Sequence, residues 1–376
     1  MLAIALIATI LVSLFALNEW FSNPQPTLEF FVGVELAYGD IGDLKNLVDK
    51  VENYTNLFVI GSLEISFNRT ALNEACDYIV EAGLYSIVLF TESQKYNYTI
   101  NQKHNYTIFD WMKDAKRKYG DKFLGVYRYD EPGGNQLDHG SSMLVNKSTS
   151  YADAAAEYTN GLGVIVDYYL DYSDRMFTAD YGLYWFDYRA GYSAVFAEFG
   201  WNFSRQLHVA LCRGAAKAQN RDWGAIVTWT YNDTLYIEPA EQLYEDLTLA
   251  YDAGAKYVII FDYPKIGSYG ILTEKPFDSL KKFWNYIHDN PQNYGANQGE
   301  VAYVLPQDYG FGFRSANDTI WGLWSADDLS RKVWDDAKKL IEQYDSHLDI
   351  VYNDPEFINV IMSRYEKLIF WNETVA

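Results

Sequence analysis

The sequence is poor in the residues on which several classes of function depend. Its 376 residues include two cysteines and five histidines, and it contains no CxxC and no HExxH motif. The scattered histidines have no ligand spacing, so we expect no metal site of these kinds, with carboxylate-bound calcium left open as an alternative. Cys76 and Cys212 fall in two helical patterns far apart in the chain, and we expect both to be buried free thiols.

Positive charge is also scarce. The chain has 30 Lys and Arg residues against 51 Asp and Glu residues, which gives a formal net charge of −21, and no basic stripe appears. Binding to nucleic acid depends on neutralising phosphates with Lys and Arg, so we expect no nucleic-acid partner. An acidic surface of this kind keeps a protein soluble and says little else about function.

The N-terminus carries an uninterrupted apolar run. Residues 1–17 are apolar except for Thr9 and Ser13, and a spacer with Pro24 and Pro26 follows. This pattern predicts an export segment over residues 1–27. No Lys or Arg precedes the run and no small-x-small cleavage site follows it, so two alternatives stay open: a cleaved signal peptide, and an uncleaved anchor that attaches the protein to a membrane.

Glycosylation motifs point to the same compartment. Nine Asn-x-Ser/Thr motifs occur, which is more than the Ser and Thr content predicts by chance. We therefore expect a glycosylated protein outside the cytosol, either extracellular or on the cell surface. The motifs lie at Asn53, Asn68, Asn97, Asn105, Asn146, Asn202, Asn232, Asn317 and Asn372.

Aromatic residues are abundant. They make up 17% of the chain, with 33 Tyr and 11 Trp. Tyr and Trp suit surfaces that are partly wet and partly apolar, which includes clefts that bind sugars. The alternative is that Tyr replaces other apolar residues in the core for stability.

From about residue 30 to 290, short apolar runs alternate with amphipathic helical patterns. Eight predicted strands in this alternation favour a (β/α)8 barrel, or TIM barrel, over residues 28–292. The fourth strand is Phe123–Asp130, the fifth is Gly182–Tyr188 and the sixth is Ala194–Gly200. Only residues 189–193 separate the fifth strand from the sixth, so either that crossover is irregular or the strand count is off by one.

After Pro291 the pattern restarts as strand, helix, strand, helix, strand. We expect a small C-terminal βαβαβ domain with a parallel sheet over residues 293–376. It contains no GxGxxG motif, so we expect no dinucleotide cofactor. Two aromatic stretches, Tyr309–Phe313 and Trp321–Trp324, follow its first strand, and they either reach over the barrel mouth or form the domain interface.

Acids and aromatics recur where the predicted strands end. The most informative case is strand four, which ends in Asp130-Glu131-Pro132-Gly-Gly. Barrels of this type place their chemistry at the C-terminal ends of their strands, and carboxylates with aromatic rings suit a polyhydroxylated ligand. The candidate substrate-binding residues are Glu35, Tyr38, Glu64, Arg128, Trp185, Arg189, Trp201, Trp229, Tyr231 and Asp262.

The barrel with Asp130-Glu131-Pro132 at the end of strand four resembles the (β/α)8 glycoside hydrolases. Their large retaining clan has Asn-Glu-Pro there, with the Glu as acid/base, so the resemblance implies that role for Glu131, with Asp130 in place of Asn. The clan's nucleophile is a Glu at the end of strand seven, where this chain has no Glu. Glu198, at the end of predicted strand six, is the best substitute, and Asp187 is the reserve candidate.

The adjacent acids also resemble the strand-four pair of hexosaminidases that use the acetamido group of the substrate as nucleophile. That resemblance implies that Asp130 orients the acetamide while Glu131 donates the proton. Residues that are adjacent in a strand point to opposite faces, so both reach one ligand only if the strand ends before them. Pro132 is consistent with such an ending.

The leading interpretation is an exported glycoside hydrolase, or a related glycan-processing enzyme, that acts on an oligosaccharide or polysaccharide. Paired carboxylates serve as proton donor and as nucleophile or base in such enzymes. The alternative from another class is a non-catalytic glycan-binding or cell-envelope structural protein on the same scaffold.

Overall fold

The computed structural model describes residues 30–90, 108–140, 142–228, 238–262 and 272–375, and Phe31–Ala376 make up one compact unit. The strands are β1 (Phe31–Leu36), β2 (Leu57–Ile60), β3 (Tyr85–Leu89), β4 (Phe123–Tyr127), β5 (Met176–Asp180), β6 (Ala194–Phe199), β7 (Asp222–Val227), β8 (Tyr257–Asp262), β9 (Val301–Leu305), β10 (Leu348–Tyr352) and β11 (Lys367–Phe370).

The helices alternate with these strands. They are α1 (Ile41–Val51), α2 (Leu63–Ser66), α3 (Arg69–Glu81), α4 (Ile108–Tyr119), α5 (Pro132–Leu137), α6 (Tyr151–Leu170), α7 (Tyr184–Arg189), α8 (Arg205–Ala218), α9 (Ala240–Asp252), α10 (Glu274–Asp289), α11 (Asp328–Tyr344) and α12 (Ile358–Arg364).

Strands β1 to β8 form a closed parallel barrel in chain order. Each strand pairs with the next, and β8 closes on β1 in the register Phe31↔Tyr257 to Leu36↔Asp262. Most strand residues are buried, as expected where helices cover the outside of a parallel sheet. The predicted (β/α)8 barrel is confirmed.

The pleat of the strands decides which side chains face the barrel axis. Phe31 on β1 and Phe196 on β6 lie in the central core, where the ring of Phe196 stacks on that of Phe177 with centroids 5.5 Å apart. Since inward positions alternate along a strand, Glu35 on β1 and Glu198 on β6 also face the axis, nearer the C-terminal mouth. Two carboxyl groups thus reach the mouth directly from strands.

Strand five lies earlier in the chain than predicted. β5 spans Met176–Asp180, and the aromatic run that was predicted as strand five, Gly182–Tyr188, is mostly the short helix α7. Asp180 ends the strand because its carboxylate accepts hydrogen bonds from the backbone N–H groups of Tyr181 (2.8 Å) and Gly182 (3.2 Å). The crossover to β6 is therefore short but helical, and the count of eight strands is correct.

The sequence pattern predicts strand two over Leu57–Ser66 and strand seven over Gly224–Tyr231, and both strands end earlier in the structure. β2 ends at Ile60 rather than at Ser66, because the N–H groups of residues 65 and 66 bond back to the carbonyl of Ser62 and start α2. β7 ends at Val227, and the predicted strand end at residues 229–231 lies outside the described residues.

The C-terminal region contains a three-stranded parallel sheet in the order β10-β9-β11. This sheet and its two helices follow the predicted βαβαβ series, which is confirmed. The boundary that was predicted near residue 292 stays a prediction, because the barrel and this sheet belong to one compact unit.

The segment between β9 and α11, residues 309–324, is named the interface loop here. Its Trp321 is completely buried, with ring centroids 5.5 Å from Tyr158 on α6 and 4.5 Å from Phe186 on α7. Most of its aromatic rings thus pack between the sheet and the barrel helices, as the domain-interface interpretation predicted.

Both cysteines, Cys76 and Cys212, are buried free thiols, as predicted. The six glycosylation motifs within the described ranges, at Asn53, Asn68, Asn146, Asn202, Asn317 and Asn372, all have an exposed Asn, and the other three lie outside those ranges. None of the described helices combines the length and the apolar character that a membrane span requires.

Candidate active site

The end of β4 brings two acids to the barrel mouth. The strand stops at Tyr127, and Glu131 adopts a left-handed conformation (φ 51°, ψ 53°) immediately before α5, with Pro132 as the first helical residue. The Glu131 N–H donates to the carbonyl of Ala179 on β5 at 3.1 Å, which fixes this turn to the neighbouring strand. Because the strand has ended, its pleat no longer forces the side chains of Asp130 and Glu131 to opposite faces.

Glu131 and Glu198 are hydrogen-bonded to each other through their carboxyl groups. Two carboxyls form such a bond only when one of them carries a proton. Burial, together with the charges of Asp130 and Asp180, raises the pKa of Glu131 to about 8. Burial and the charge of Glu131 raise the pKa of Glu198 well above its ordinary value, so the pair holds a proton at neutral pH.

Asp130 lies beside this pair. Its carboxylate accepts a hydrogen bond from the phenol of Tyr127, an inward-facing residue of β4. The side chain keeps an exposed surface although protein surrounds it, as expected at the bottom of a concave mouth. That surrounding protein raises the pKa of Asp130, and Asp130 in turn raises the pKa values of Glu131 and Glu198.

Glu35 is the fourth carboxyl group at the mouth. It is 2% exposed, and its Oε2 atom has no hydrogen-bond partner among the described residues. A side chain at Gly61, at the end of β2, would overlap Oε1, so the glycine makes room for this carboxyl. Burial, with the charge of Asp130, raises the pKa of Glu35 well above its ordinary value.

Asp180 is a residue of the candidate site that was not predicted from the sequence. It is fully buried at the end of β5, and its two oxygens accept hydrogen bonds from the N–H groups of Gly133 (2.5 Å) and Gly134 (2.8 Å). It also accepts the bonds from Tyr181 and Gly182 that end the strand. It thus holds the turn that carries Glu131. Its signal, an acid that ends a β-like run Met-Phe-Thr-Ala-Asp, was hidden by the misplaced fifth strand.

Asp187, the reserve catalytic candidate, lies behind the site. It is fully buried on α7, where its Oδ1 atom accepts a hydrogen bond from Tyr158 at 2.7 Å. Burial, with the charge of Asp180, raises the pKa of Asp187 well above its ordinary value, and burial raises that of Asp180 to about 7. Asp187 thus lies near Asp180 and has no access to the mouth.

The ring of Tyr181 lies near Glu131, and Trp201 packs on that ring. Tyr181 and Trp201 meet edge to face with ring centroids 5.0 Å apart. Glu131 is the strongest of the charges that raise the pKa of Tyr181, which indicates their proximity. Trp201, which was predicted as a substrate-binding residue, is partly exposed, whereas Tyr181, which was not predicted, is buried behind it.

Three predicted binding residues lie away from the mouth. Arg128 is buried on the outside of the barrel, with its guanidinium 5.3 Å from the ring of Tyr169 on α6. Trp185 and Arg189, which were predicted at the end of a strand, lie on α7 instead. There they contact the C-terminal sheet region: Trp185 packs on Tyr352 at 5.3 Å, and Arg189 forms an ion pair with Asp354.

The remaining predicted residues divide into three groups. Tyr38 and Asp262 follow or end the paired strands β1 and β8, where Tyr38 is 60% exposed and Asp262 is buried. Glu64 is exposed on α2 rather than at a strand end. Trp229 and Tyr231 lie outside the described residues.

Within the described ranges, no group of three or more His, Cys, Asp or Glu residues has the geometry of a metal site. In the part of the chain that the structure describes, four carboxyl groups lie at the barrel mouth: those of Glu35, Asp130, Glu131 and Glu198. This arrangement suits proton transfer and the binding of hydroxyl groups.

Sequence comparison finds no relative. No family model matches the chain, and no curated protein sequence matches it. Similarity appears at the level of structure, with proteins of very different sequence.

Alpha-L-fucosidase isoenzyme 2 from Paenibacillus thiaminolyticus aligns over 90% of this chain and 59% of its own, at 12% identity and a TM-score of 0.53. The catalytic module of a family 98 glycoside hydrolase from Streptococcus pneumoniae, in complex with the H-disaccharide blood group antigen, aligns over 92% of this chain and 66% of its own. It has 10% identity and a TM-score of 0.50. The chain thus spans less than two thirds of either protein.

The fold defines a (β/α)8 barrel of the kind found in glycoside hydrolases. Both of these similar structures are glycoside hydrolases, and the agreement with the sequence resemblance rests on the barrel alone. The chemistry of this chain has to be argued from its own carboxyl groups.

Proposed function

We propose that this protein is a glycoside hydrolase in which Glu131 is the proton donor and Glu198 is the nucleophile or base. The observation that carries the proposal is the hydrogen-bonded pair of Glu131 and Glu198 at the barrel mouth. The substrate is an oligosaccharide or polysaccharide, because carboxyl groups and a partly exposed Trp201 suit sugar hydroxyls and sugar C–H faces.

The raised pKa of Glu131 matches the role of proton donor. At neutral pH a carboxyl with a pKa of about 8 carries its proton, which it donates to the leaving glycosidic oxygen. Burial and the charge of Glu131 also raise the pKa of Glu198, so Glu198 acts as the carboxylate on the other side of the bond only when the proton of the pair lies on Glu131. Retaining enzymes separate these groups by about 5–5.5 Å and inverting enzymes by about 6.5–9.5 Å, so a bound sugar has to break the hydrogen bond between them.

Asp130 and Glu35 support the pair. The charge of Asp130 keeps Glu131 protonated, and its partly exposed carboxylate is placed to accept a hydrogen bond from substrate. The unpartnered Oε2 of Glu35 is available for a second such bond. An acetamido group held by Asp130, as in the hexosaminidases that the strand-four pair resembles, is one form of this contact.

The test compares Glu131→Gln and Glu198→Gln with wild type on a panel of aryl glycosides and oligosaccharides that includes fucosides and N-acetylhexosaminides. We expect folded variants with at least about a 100-fold loss of turnover, the usual effect of removing a general acid. Glu342→Gln, at an exposed position on α11, is the matched control. Turnover that survives in both variants rules out the assignment.

A non-catalytic glycan-binding protein is the second candidate. The hydrogen bond between Glu131 and Glu198 favours it, because carboxyls that bond to each other are closer than the separations that glycosidases keep between their two acids. In that case a glycan array shows binding that depends on Trp201, and prolonged incubation with the bound glycan releases no reducing end.

Export belongs to the same proposal. The apolar residues 1–17 and the six exposed glycosylation motifs support a protein that is secreted or anchored at the cell surface. Cell fractionation of the native host locates the protein, and mass spectrometry of its peptides detects glycans. An unmodified protein in the cytosolic fraction contradicts this part of the proposal.

A further inference from the structure

The interface loop holds the turn that carries Glu131. Gln136 on α5 is completely buried, and its amide nitrogen donates to the carbonyls of Trp321 (2.9 Å) and Val145 (2.8 Å). Its amide oxygen accepts from two further backbone N–H groups, so all of its usual hydrogen bonds are made. A side chain at Gly322 would overlap the carbonyl of Gln136. Helix α5 therefore cannot move independently of the interface loop.

Arg314 extends this contact toward the mouth. Its guanidinium binds Asp318 in a bidentate manner, with Nε–Oδ2 and Nη2–Oδ1 distances of 2.9 and 2.7 Å, and this orients the side chain. The remaining Nη1 donates to Asp138, the residue that follows α5. Its charge lies 5.9 Å from the ring of Tyr181.

Asp138 connects Arg314 to the aromatic pair. Its second oxygen accepts the hydrogen bond of the Tyr181 phenol at 2.7 Å. A side chain at Gly134 would overlap the ring of Tyr181, so that ring packs directly on the backbone of the Glu131 turn. On its other side the ring supports Trp201.

We propose that Arg314 is a positioning residue of the active site: through Asp138 it holds Tyr181, and Tyr181 holds Trp201 as the wall on which a sugar ring stacks beside Glu131. The inference rests on the proposed glycan-processing function. It makes the C-terminal region a part of the site, although the residues that react with substrate all lie on the barrel.

The same contacts affect the pKa of Glu131. The charged groups that act on Glu131 are Asp130, Asp180 and Asp138, with Glu198 hydrogen-bonded to it. Asp138 raises the pKa of Glu131, and Arg314 neutralises Asp138. Removal of the Arg314 charge should therefore raise the pKa of Glu131, whereas removal of the Asp138 charge should lower it.

The experiment compares Arg314→Gln, Arg314→Lys and Asp138→Asn. Arg331→Gln is the control, because Arg331 on α11 also forms an ion pair, with Asp328, but that pair is exposed. We expect Arg314→Gln to raise KM for the oligosaccharide about 10-fold or more, since small displacements of positioning groups have effects of that size. The alkaline limb of kcat/KM should move to higher pH in Arg314→Gln and to lower pH in Asp138→Asn. Arg314→Lys should keep the limb near its wild-type position.

If Arg314 and Asp138 have a purely structural role, their variants lose activity equally and the alkaline limb of kcat/KM does not move in opposite directions. That result overturns the inference. Carboxyl ¹³C NMR follows the titration of Glu131 in the same variants without any need for turnover. If no glycan is hydrolysed by wild type but the Glu131 titration moves in opposite directions, the proposed hydrolysis fails and the coupling through Asp138 stands. If the titration is unchanged in all variants, the inference fails whether or not hydrolysis occurs.

Discussion

Arg213 on α8 forms a buried ion pair with Asp349 on β10, with 2.7 Å between Nε and Oδ1. The other guanidinium nitrogens donate to backbone carbonyls, among them those of Asn297 and Ser346 at 2.6 Å each. Neither charged side chain is more than 6% exposed. One barrel helix is therefore bound to the centre of the C-terminal region by a fully bonded charge, which explains why the two regions form one unit.

Arg213→Met should lower the free energy of unfolding by about 3–5 kcal/mol, because it leaves the buried carboxylate of Asp349 without its counter-charge. Urea unfolding followed by circular dichroism measures the change. Arg331→Met, which removes an exposed ion pair, should cost about 0–1 kcal/mol. Equal effects of the two substitutions would contradict this account of the interface.

The activity should fall as the pH rises through about 8, because Glu131 must be protonated to donate. Since Asp130 raises the pKa of Glu131, Asp130→Asn should move this alkaline limb to lower pH. The measurement is the pH profile of kcat/KM on one hydrolysed glycan. A limb that stays in place in Asp130→Asn would assign it to a group other than Glu131.

The stability of the fold should also depend on pH. The pKa of Glu35 is raised above its ordinary value of 4.5, so between these two pKa values the folded state binds more protons than the unfolded state. The contribution of Glu35 to the free energy of unfolding is present in full below pH 4.5 and is lost as the pH rises through the folded-state pKa of this residue. Glu35→Gln should therefore show a smaller decline in free energy of unfolding from about pH 5 to about pH 9. Parallel curves for wild type and variant would exclude Glu35 as a cause.

Gly322 and Gly83 provide a matched pair of substitutions. Both have positive φ angles, 66° and 82°, but a side chain at Gly322 would overlap the carbonyl of Gln136, whereas the space around Gly83 is open. Gly83→Ala should cost about 1–2 kcal/mol for the left-handed backbone alone. Gly322→Ala should cost more, and it should reduce activity because it displaces α5. Similar thermal unfolding of the two variants would show that the contact with α5 is not tight.

The barrel was predictable because its strands are apolar runs whose period differs from that of the helices between them. The fifth strand was not, because the run Tyr184–Tyr188 has the composition of a strand and is too short for its periodicity to decide. Asp180 ends the real strand through backbone hydrogen bonds, and the rings that follow pack on the C-terminal sheet region. Contacts between distant parts of the chain therefore determine where the fifth strand lies.

The site was predictable where the strand pleat alone determines the direction of a side chain. Glu198 is two residues beyond Phe196 on the inward face of β6, and the confirmed strand count places it on strand six. The positions of Tyr181 and Arg314 beside the turn that carries Glu131 were not predictable. They depend on a contact between residues 138 and 314, and no local pattern in the sequence indicates that contact.

The hydrogen bonds of Gln136 have a consequence for the order in which the protein matures. All eight strands of the barrel are synthesised before the interface loop, yet α5 obtains part of its support from the carbonyl of Trp321. A nascent chain that has completed only the barrel residues therefore holds Glu131 in an unfinished turn. If the protein hydrolyses glycans as proposed, we expect this activity to appear late in biosynthesis, after residues 309–324 have been synthesised and have docked against α5.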